Sequence, residues 1–423
     1  MYPPAALAWS VWALGASLYL AGFFQRVAPA VMTQELMADF GIAAAGLGQL
    51  SAFYFYSYVA IQVPTGLAVD RYGPRRVLAG GALVAMLGAL AFAMAPAFGI
   101  AALGRLAIGG AVGVAFVATL KLAAHWFAPR RFALASGLTL ACGVIGAVAA
   151  GAPLRAAISA FGWRPVMLAS AAAIALVFVG IIVIVRNDPA ERGYRSHFSG
   201  GARSGARGSV WTGLGEVLAY RNTWLILTAP QGIAGATIAF GGLWGVPYIV
   251  AVYGTSRETA ALVCSMLMVA WALGGPLFGA FSDRVGRRKP LYLAGAAASL
   301  VLWSAVVFVP RLPLAALTGL LLACGVCAGA MVIGFAFGKE SVPARLAGTA
   351  TGVINMGAMI GPMVMQPAIG WMLDRNWNGA AVAGVRVYDA NAYRAGFALM
   401  LVWLAASVLV LAFARETHAR QAP

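Results

Sequence analysis

The stretch Gly66-Leu67-Ala68-Val69-Asp70-Arg71-Tyr72-Gly73-Pro74-Arg75-Arg76 recurs as Gly279-Ala280-Phe281-Ser282-Asp283-Arg284-Val285-Gly286-Arg287-Arg288-Lys289, at an offset of 213 residues. Both copies hold a glycine, an Asp-Arg pair four residues on, a second glycine and a basic cluster. One copy alone reads equally well as a positively charged loop with a tight turn at glycine. The same acid, glycine and basic pair at matching places make the chain a duplicated unit, as two similar halves rocking about a shared site require. An aspartate at a helix end can accept hydrogen bonds from arginines and sit against the positive N-terminus of a neighbouring helix, which makes a breakable latch.

Long apolar runs flank each copy. Hydrophobic residues make up 62% of the 423, and charged ones only 10%. A soluble chain carries about a quarter charged residues, so that class is excluded. At roughly 20 apolar residues per helical crossing, the composition has room for about thirteen spans. The in-out alternation of an outer-membrane barrel is missing. Windows cut by charges and by Pro or Gly predict spans near 9–32, 47–69, 77–96, 99–124, 132–153 and 163–185, then 223–250, 259–281, 290–309, 313–337, 346–372 and 395–414. The expected fold is an all-α membrane protein with twelve transmembrane helices in two pseudo-symmetric six-helix bundles, 1–185 and 222–423. The polar stretch 186–221, containing Gly200-Gly201-Ala202-Arg203-Ser204-Gly205, reads as a flexible linker with an interfacial helix at its end.

The net charge of +17 would suggest nucleic acid in a soluble protein. In a membrane protein, basic residues collect in cytoplasmic loops. With the linker and both termini inside, 19 basic residues fall on the cytoplasmic side and seven outside, which sets the orientation and removes nucleic acid as a partner. The first eight residues lack a basic n-region, and the run that follows is a full span, so it reads as a retained helix. Cys142, Cys264, Cys324 and Cys327 lie in apolar stretches and imply no disulfide framework. Cys324-Gly-Val-Cys327 is better accounted for by packing than by metal or redox chemistry. With three histidines, none in a span's core, and no phosphate-binding loop on a nucleotide fold, neither an enzyme, a metal site, a cofactor nor an ATP-driven pump is expected.

The paired Gly-x-x-x-Asp-Arg-x-Gly loops resemble the signature of the major facilitator superfamily, and the likeness covers nearly the whole chain. Within it the chain is similar to the organic-anion branches, the anion:cation symporters and the organophosphate:phosphate antiporters. Arg26, the Leu122-Ala-Ala-His125-Trp126-Phe127 to Arg131 stretch and Phe161-Gly162-Trp163-Arg164 carry that narrower likeness. The resemblance implies a cytoplasmic gate at Gly66, Asp70, Arg71, Gly73, Arg75, Arg76, Asp283, Arg284, Gly286 and Arg288. It also implies a monomer in the bacterial inner membrane with a small-molecule substrate.

Three basic residues, Arg26, Arg105 and Lys121, fall inside spans. A charge in hydrocarbon costs about 2.5–3.5 kcal/mol even on a lenient scale, so such residues usually face a polar cavity. Arg26, with Gln25 beside it, offers a planar fork suited to a carboxylate or phosphate; the alternative is an arginine snorkelling to the interface. Tyr54, Tyr58 and Gln62 share one face of the second span at i, i+4 and i+8, as cavity wall or as plain packing. In the resembled antiporters a lysine takes the place of Gln62, and the seventh span carries a second arginine; this chain's seventh span has no charge, which ranks phosphate exchange lower. In the proton-coupled symporters, acids occupy what look like the places of Val112 and Gln25, so proton coupling through a buried carboxylate is unsupported. Asn355, in a span broken by Pro362 and Pro367, is the best polar contact in the second half, with an interhelical hydrogen bond as the equal alternative. Lys121 is expected to snorkel to the cytoplasmic interface or, less readily, to reach the substrate.

These readings favour transport of a small organic anion, a carboxylate in particular, by alternating access. The rivals are efflux of amphipathic drugs along the aromatic second span, and a transporter-like sensor whose linker contacts a partner.

Overall fold

The computed structural model describes residues 1–197, 210–310 and 312–422. Among these, eleven helices are long and apolar enough to cross a membrane, and the bent pair Thr33–Phe40 and Ala44–Gln62 supplies a twelfth. The spans are Ala5–Val31, Ala44–Tyr72, Pro74–Ala93, Phe98–Trp126, Pro129–Ala149 and Trp163–Ile184, then Arg221–Tyr253, Arg257–Val285, Lys289–Phe308, Leu314–Glu340, Ala344–Arg375 and Ala390–Ala412. Helix is the form these runs must take, because lipid offers no partner for a free backbone N–H or C=O.

Two local differences from the sequence reading have physical causes. The fifth span ends at Ala149, and a separate helix, Ala152–Phe161, follows. Pro153 sits in the first turn of that new helix, where a missing N–H costs nothing. The repeated stretch is less a loop than expected. Gly66 to Tyr72 are the last turns of the second span, and the turn is carried by Gly73 at φ +81°. Its counterpart Gly286 takes φ +68°. These are left-handed values that glycine adopts without a Cβ penalty. A helix covers Val210–Ala219 at the end of the linker; the Gly200–Gly205 run lies outside the described residues.

The chain packs as two compact units. One comprises Met1–Arg26, Tyr56–Ala149 and Ala157–Val210; the other comprises Val27–Phe55, Ala150–Ala156 and Trp211–Pro423. Within the second unit, the start of the second span crosses the end of the eleventh with main chain against main chain. A Cβ on Gly48 would lie 2.5 Å from the Gln366 oxygen, and one on Gly370 would lie 2.3 Å from the Ala44 oxygen. Small residues permit this approach, as in other membrane helix pairs. Beside the crossing, Asp374 accepts hydrogen bonds from the N–H groups of Ala44 (3.3 Å) and Ala45 (2.8 Å) and from the Tyr388 hydroxyl (2.5 Å). A carboxylate thus caps the positive end of the second span.

Candidate substrate site and gate

Arg26 lies where the first span changes character. The α-helix ends at Val27 and a 3-10 turn runs over Ala28–Val31. Pro29 has no N–H, so the carbonyl of Gln25, four residues back, has no helical donor. The fully buried Arg105 fills that vacancy, its Nη1 donating to the Gln25 oxygen. The Gln25 side chain is buried too and donates from Nε2 to the Ser170 hydroxyl at 2.9 Å. Arg26 is only 5% exposed. Its guanidinium carbon stands 4.2 Å from the Phe23 ring centroid and 5.1 Å from that of Tyr58, both within cation–π range.

The structure therefore brings Arg26, Gln25 and Tyr58 together in one unit, with Arg105 behind them. Gln62, on the same helix, is half-buried. Tyr54 is buried in the other unit, its ring edge-on to Phe55 at 5.4 Å, and Asn355 is half-buried in that unit. Val112 is buried on the fourth span facing Gly22 of the first, and a Cβ on Gly22 would lie 2.8 Å from its own. That contact is filled by hydrocarbon, where a carboxylate would need polar partners.

At the first copy of the repeat, Asp70 pairs with Lys121 rather than with an arginine of its own stretch. Lys121 Nζ is 2.6 Å from Asp70 Oδ1 and also donates to the Val69 oxygen at 3.0 Å. Arg75 closes the turn: its N–H donates to Asn187 Oδ1 (2.9 Å) and its Nη2 to the Ile182 oxygen (2.8 Å) at the end of the sixth span. Arg71 stands over Tyr72 and Arg76 is exposed.

At the second copy, Arg288 is the hub. Its side chain is 8% exposed, with Nη1 2.6 Å from Asp283 Oδ1 and Nη2 2.8 Å from Glu340 Oε1. Arg284 stays exposed. Glu416, past the twelfth span, accepts from the N–H groups of Arg288 and Lys289 at 3.0 Å each. Burial pushes the Glu416 carboxyl up, but the N–H groups of Arg288, His418, Lys289 and Thr417 outweigh it and hold the group below the usual carboxylate range.

Asn187 and Glu416 thus do the same work in the two halves, capping the helix after each turn, and sequence reading missed both. So did it miss Glu35 as a hub, 2.7 Å from Arg155 and 2.8 Å from Arg257. A signal existed for these acids, since the chain has only 12. The stretches that carried the narrower likeness have structural partners. His125 Nδ1 lies 2.7 Å from Asp188 Oδ2, Trp126 Nε1 donates to the Arg186 oxygen, and Arg164 Nη1 donates to the Ala93 and Ala95 oxygens. Among the described residues no group of three or more His, Cys, Asp or Glu is placed to hold a metal.

The profile described as Major Facilitator Superfamily matches residues 14–364 and 232–423. Among curated proteins, the probable sulfoacetate transporter of Cupriavidus necator is 22% identical over 385 residues, covering 85% of each chain. The probable nitrate/nitrite transporter of Mycobacterium tuberculosis is 26% identical over 312 residues, covering 72% of this chain and 75% of its own. Among solved structures, a bacterial homologue of the human lysosomal transporter Spinster, inward-facing and unoccupied, superposes with a TM-score of 0.77 at 16% identity over 100% of both chains. The profile spans most of the chain, and the fold, the duplicated turn and the relatives agree with it: the protein is a multi-pass membrane transporter belonging to the Major Facilitator Superfamily.

Proposed function

We propose that the protein carries a small organic anion bearing a carboxylate, by alternating access between the halves 1–185 and 222–423, with both termini on the cytoplasmic side of a bacterial inner membrane. The observation that carries this reading is Arg26, buried at a helix break against Tyr58 and Phe23. A guanidinium there presents a planar pair of donors in a low dielectric, where a carboxylate is held far more strongly than in water. The relatives named for sulfoacetate and nitrate/nitrite support an anion. Binding titrations of sulfoacetate and related carboxylates test it. Arg26→Ala should weaken binding about 100-fold or more, since losing one partner of a buried pair costs about 3–5 kcal/mol. Arg26→Lys should also bind poorly, because an ammonium keeps the charge and loses the fork. A lysine variant as tight as the wild type would take Arg26 out of the site.

Hydrocarbon at Val112 and an amide at Gln25 support uniport, exchange or coupling to an ion other than the proton. Uptake into proteoliposomes should then persist without a pH gradient. A proton entering with each substrate would sink this part, and Glu35 would be the next candidate carrier.

A further inference from the structure

Beyond the repeat turn of the second unit lies a cavity of about 460 Å3, at the ends of the seventh, tenth and twelfth spans. Arg221, Arg415 and Arg420 line it, with Asn222, Ser341 and Thr417 between them. None of the three arginines has an ion-pair partner among the described residues. Two acids also reach the cavity, and both are committed elsewhere: Glu340 to Arg288, and Glu416 to the N–H groups of Arg288 and Lys289. The uncommitted charge is therefore positive, while the amide and hydroxyls between the arginines are engaged within the protein: Asn222 Nδ2 donates to Ser341 Oγ and the Arg415 oxygen, Ser341 to the Phe337 oxygen and Thr417 to Glu340. Trp224, on the seventh span, and Phe413, just past the twelfth, are 51% and 62% exposed, and each lies within two residues of a position that lines the cavity. The Trp224 indole donates to the Leu218 oxygen of the helix Val210–Ala219, the half-apolar, half-polar placement tryptophan takes at a membrane interface.

We propose that this cavity binds the phosphate group of an anionic phospholipid, with Arg221, Arg415 and Arg420 as its ligands. A phosphodiester is met well by several guanidiniums, and basic pockets between membrane helices take lipid headgroups. The segment after the twelfth span would then be more than a tail. It holds Arg415 and Arg420, and the same stretch sends Thr417 to Glu340 at 2.6 Å and joins Ala422 N–H to the Glu340 oxygen at 2.9 Å. A bound headgroup would clamp it against the Arg288 network. The proposal is independent of which solute is carried.

The test is thermal unfolding of the purified full chain in detergent, titrated with dioleoyl phosphatidylglycerol, dioleoyl phosphatidylcholine or inorganic phosphate. Phosphatidylglycerol should raise the wild-type midpoint saturably, and phosphatidylcholine should not. The variant Arg415→Gln/Arg420→Gln should need about tenfold more phosphatidylglycerol for half the shift. Arg130→Gln/Arg131→Gln, which removes the same charge from the exposed first turn of the fifth span, should respond like the wild type. Arg420→Gln alone provides the comparison if the double variant unfolds. Equal protection of wild type and cavity variants, or an equal loss in the Arg130/Arg131 variant, would overturn the site. Inorganic phosphate reproducing the full shift would overturn the lipid and leave soluble phosphate as the ligand.

Discussion

The two copies of the repeat diverge sharply in what surrounds them. In the first unit, Asp70 is 76% exposed and its ion-pair partner is Lys121. In the second, Asp283 is also mostly exposed, but it meets an arginine already held by buried Glu340 and tied to the main chain by Glu416. The duplicated sequence therefore specifies the helix, the turn and the acid, while the partner differs in each unit. One copy is a simple pair that water and salt can compete with; the other is a network whose members cannot be removed singly without leaving a charge behind. As a moving part the first copy is the better suited, and as an anchor the second.

The largest effect should come from cutting the network at its buried end. Glu340→Ala leaves Arg288 in a site it cannot easily leave, and should cost about 3 kcal/mol, lowering the unfolding midpoint by several degrees. A loss no larger than that of Asp283→Asn would show the network to be a chain of independent pairs. Next in size is the kinetic effect at the first copy. Asp70→Asn should slow substrate flux several-fold while changing stability by less than about 1 kcal/mol, as expected of an exposed pair. Asp283→Asn should slow flux less, because Arg288 keeps Glu340. Equal fluxes in the two variants would erase the distinction between a moving and an anchoring copy, and wild-type flux in both would remove the latch altogether.

The smallest effect is one of pH. Glu416 is held below its ordinary range, so its contribution to stability is full above the unfolded value of about 4.3 and is lost as pH falls through the folded one. Wild type should therefore exceed Glu416→Gln in unfolding midpoint at pH 7, and the gap should close below about pH 4.3. A gap that is constant down to pH 3.5 would mean that Glu416 acts through packing and not through its charge.

The twelve spans were legible because the bilayer dictates their length and apolarity, and those are local properties. Arg26, Asp70 and Asp283 stand out as candidates for a related reason: a charge is conspicuous in an apolar chain. Partnerships were harder. Glu340 is 52 residues from Arg288 and Asp374 is 329 residues from Ala45, and no periodicity joins such positions. The Arg105 contact lies between these cases. Pro29 announces that the Gln25 carbonyl lacks a donor, so the vacancy is readable, but the residue that fills it comes from another span. Helical spacing placed Tyr54 and Tyr58 on one face, yet the boundary between the two units falls within that helix, between Phe55 and Tyr56. A helix shared by two bodies has no single interior face.

The crossing at Gly48 and Gly370 bears on the cell's energy supply as much as on its solutes. Where two backbones touch with no side chain between them, the contact itself leaves no room for a file of water, which is the medium a proton or a sodium ion would need. A single added methyl at residue 370, 2.3 Å from the Ala44 oxygen, would wedge that seam open. In a membrane charged by ion gradients, such a wedge would turn a carrier into a slow short circuit, whatever it was meant to carry.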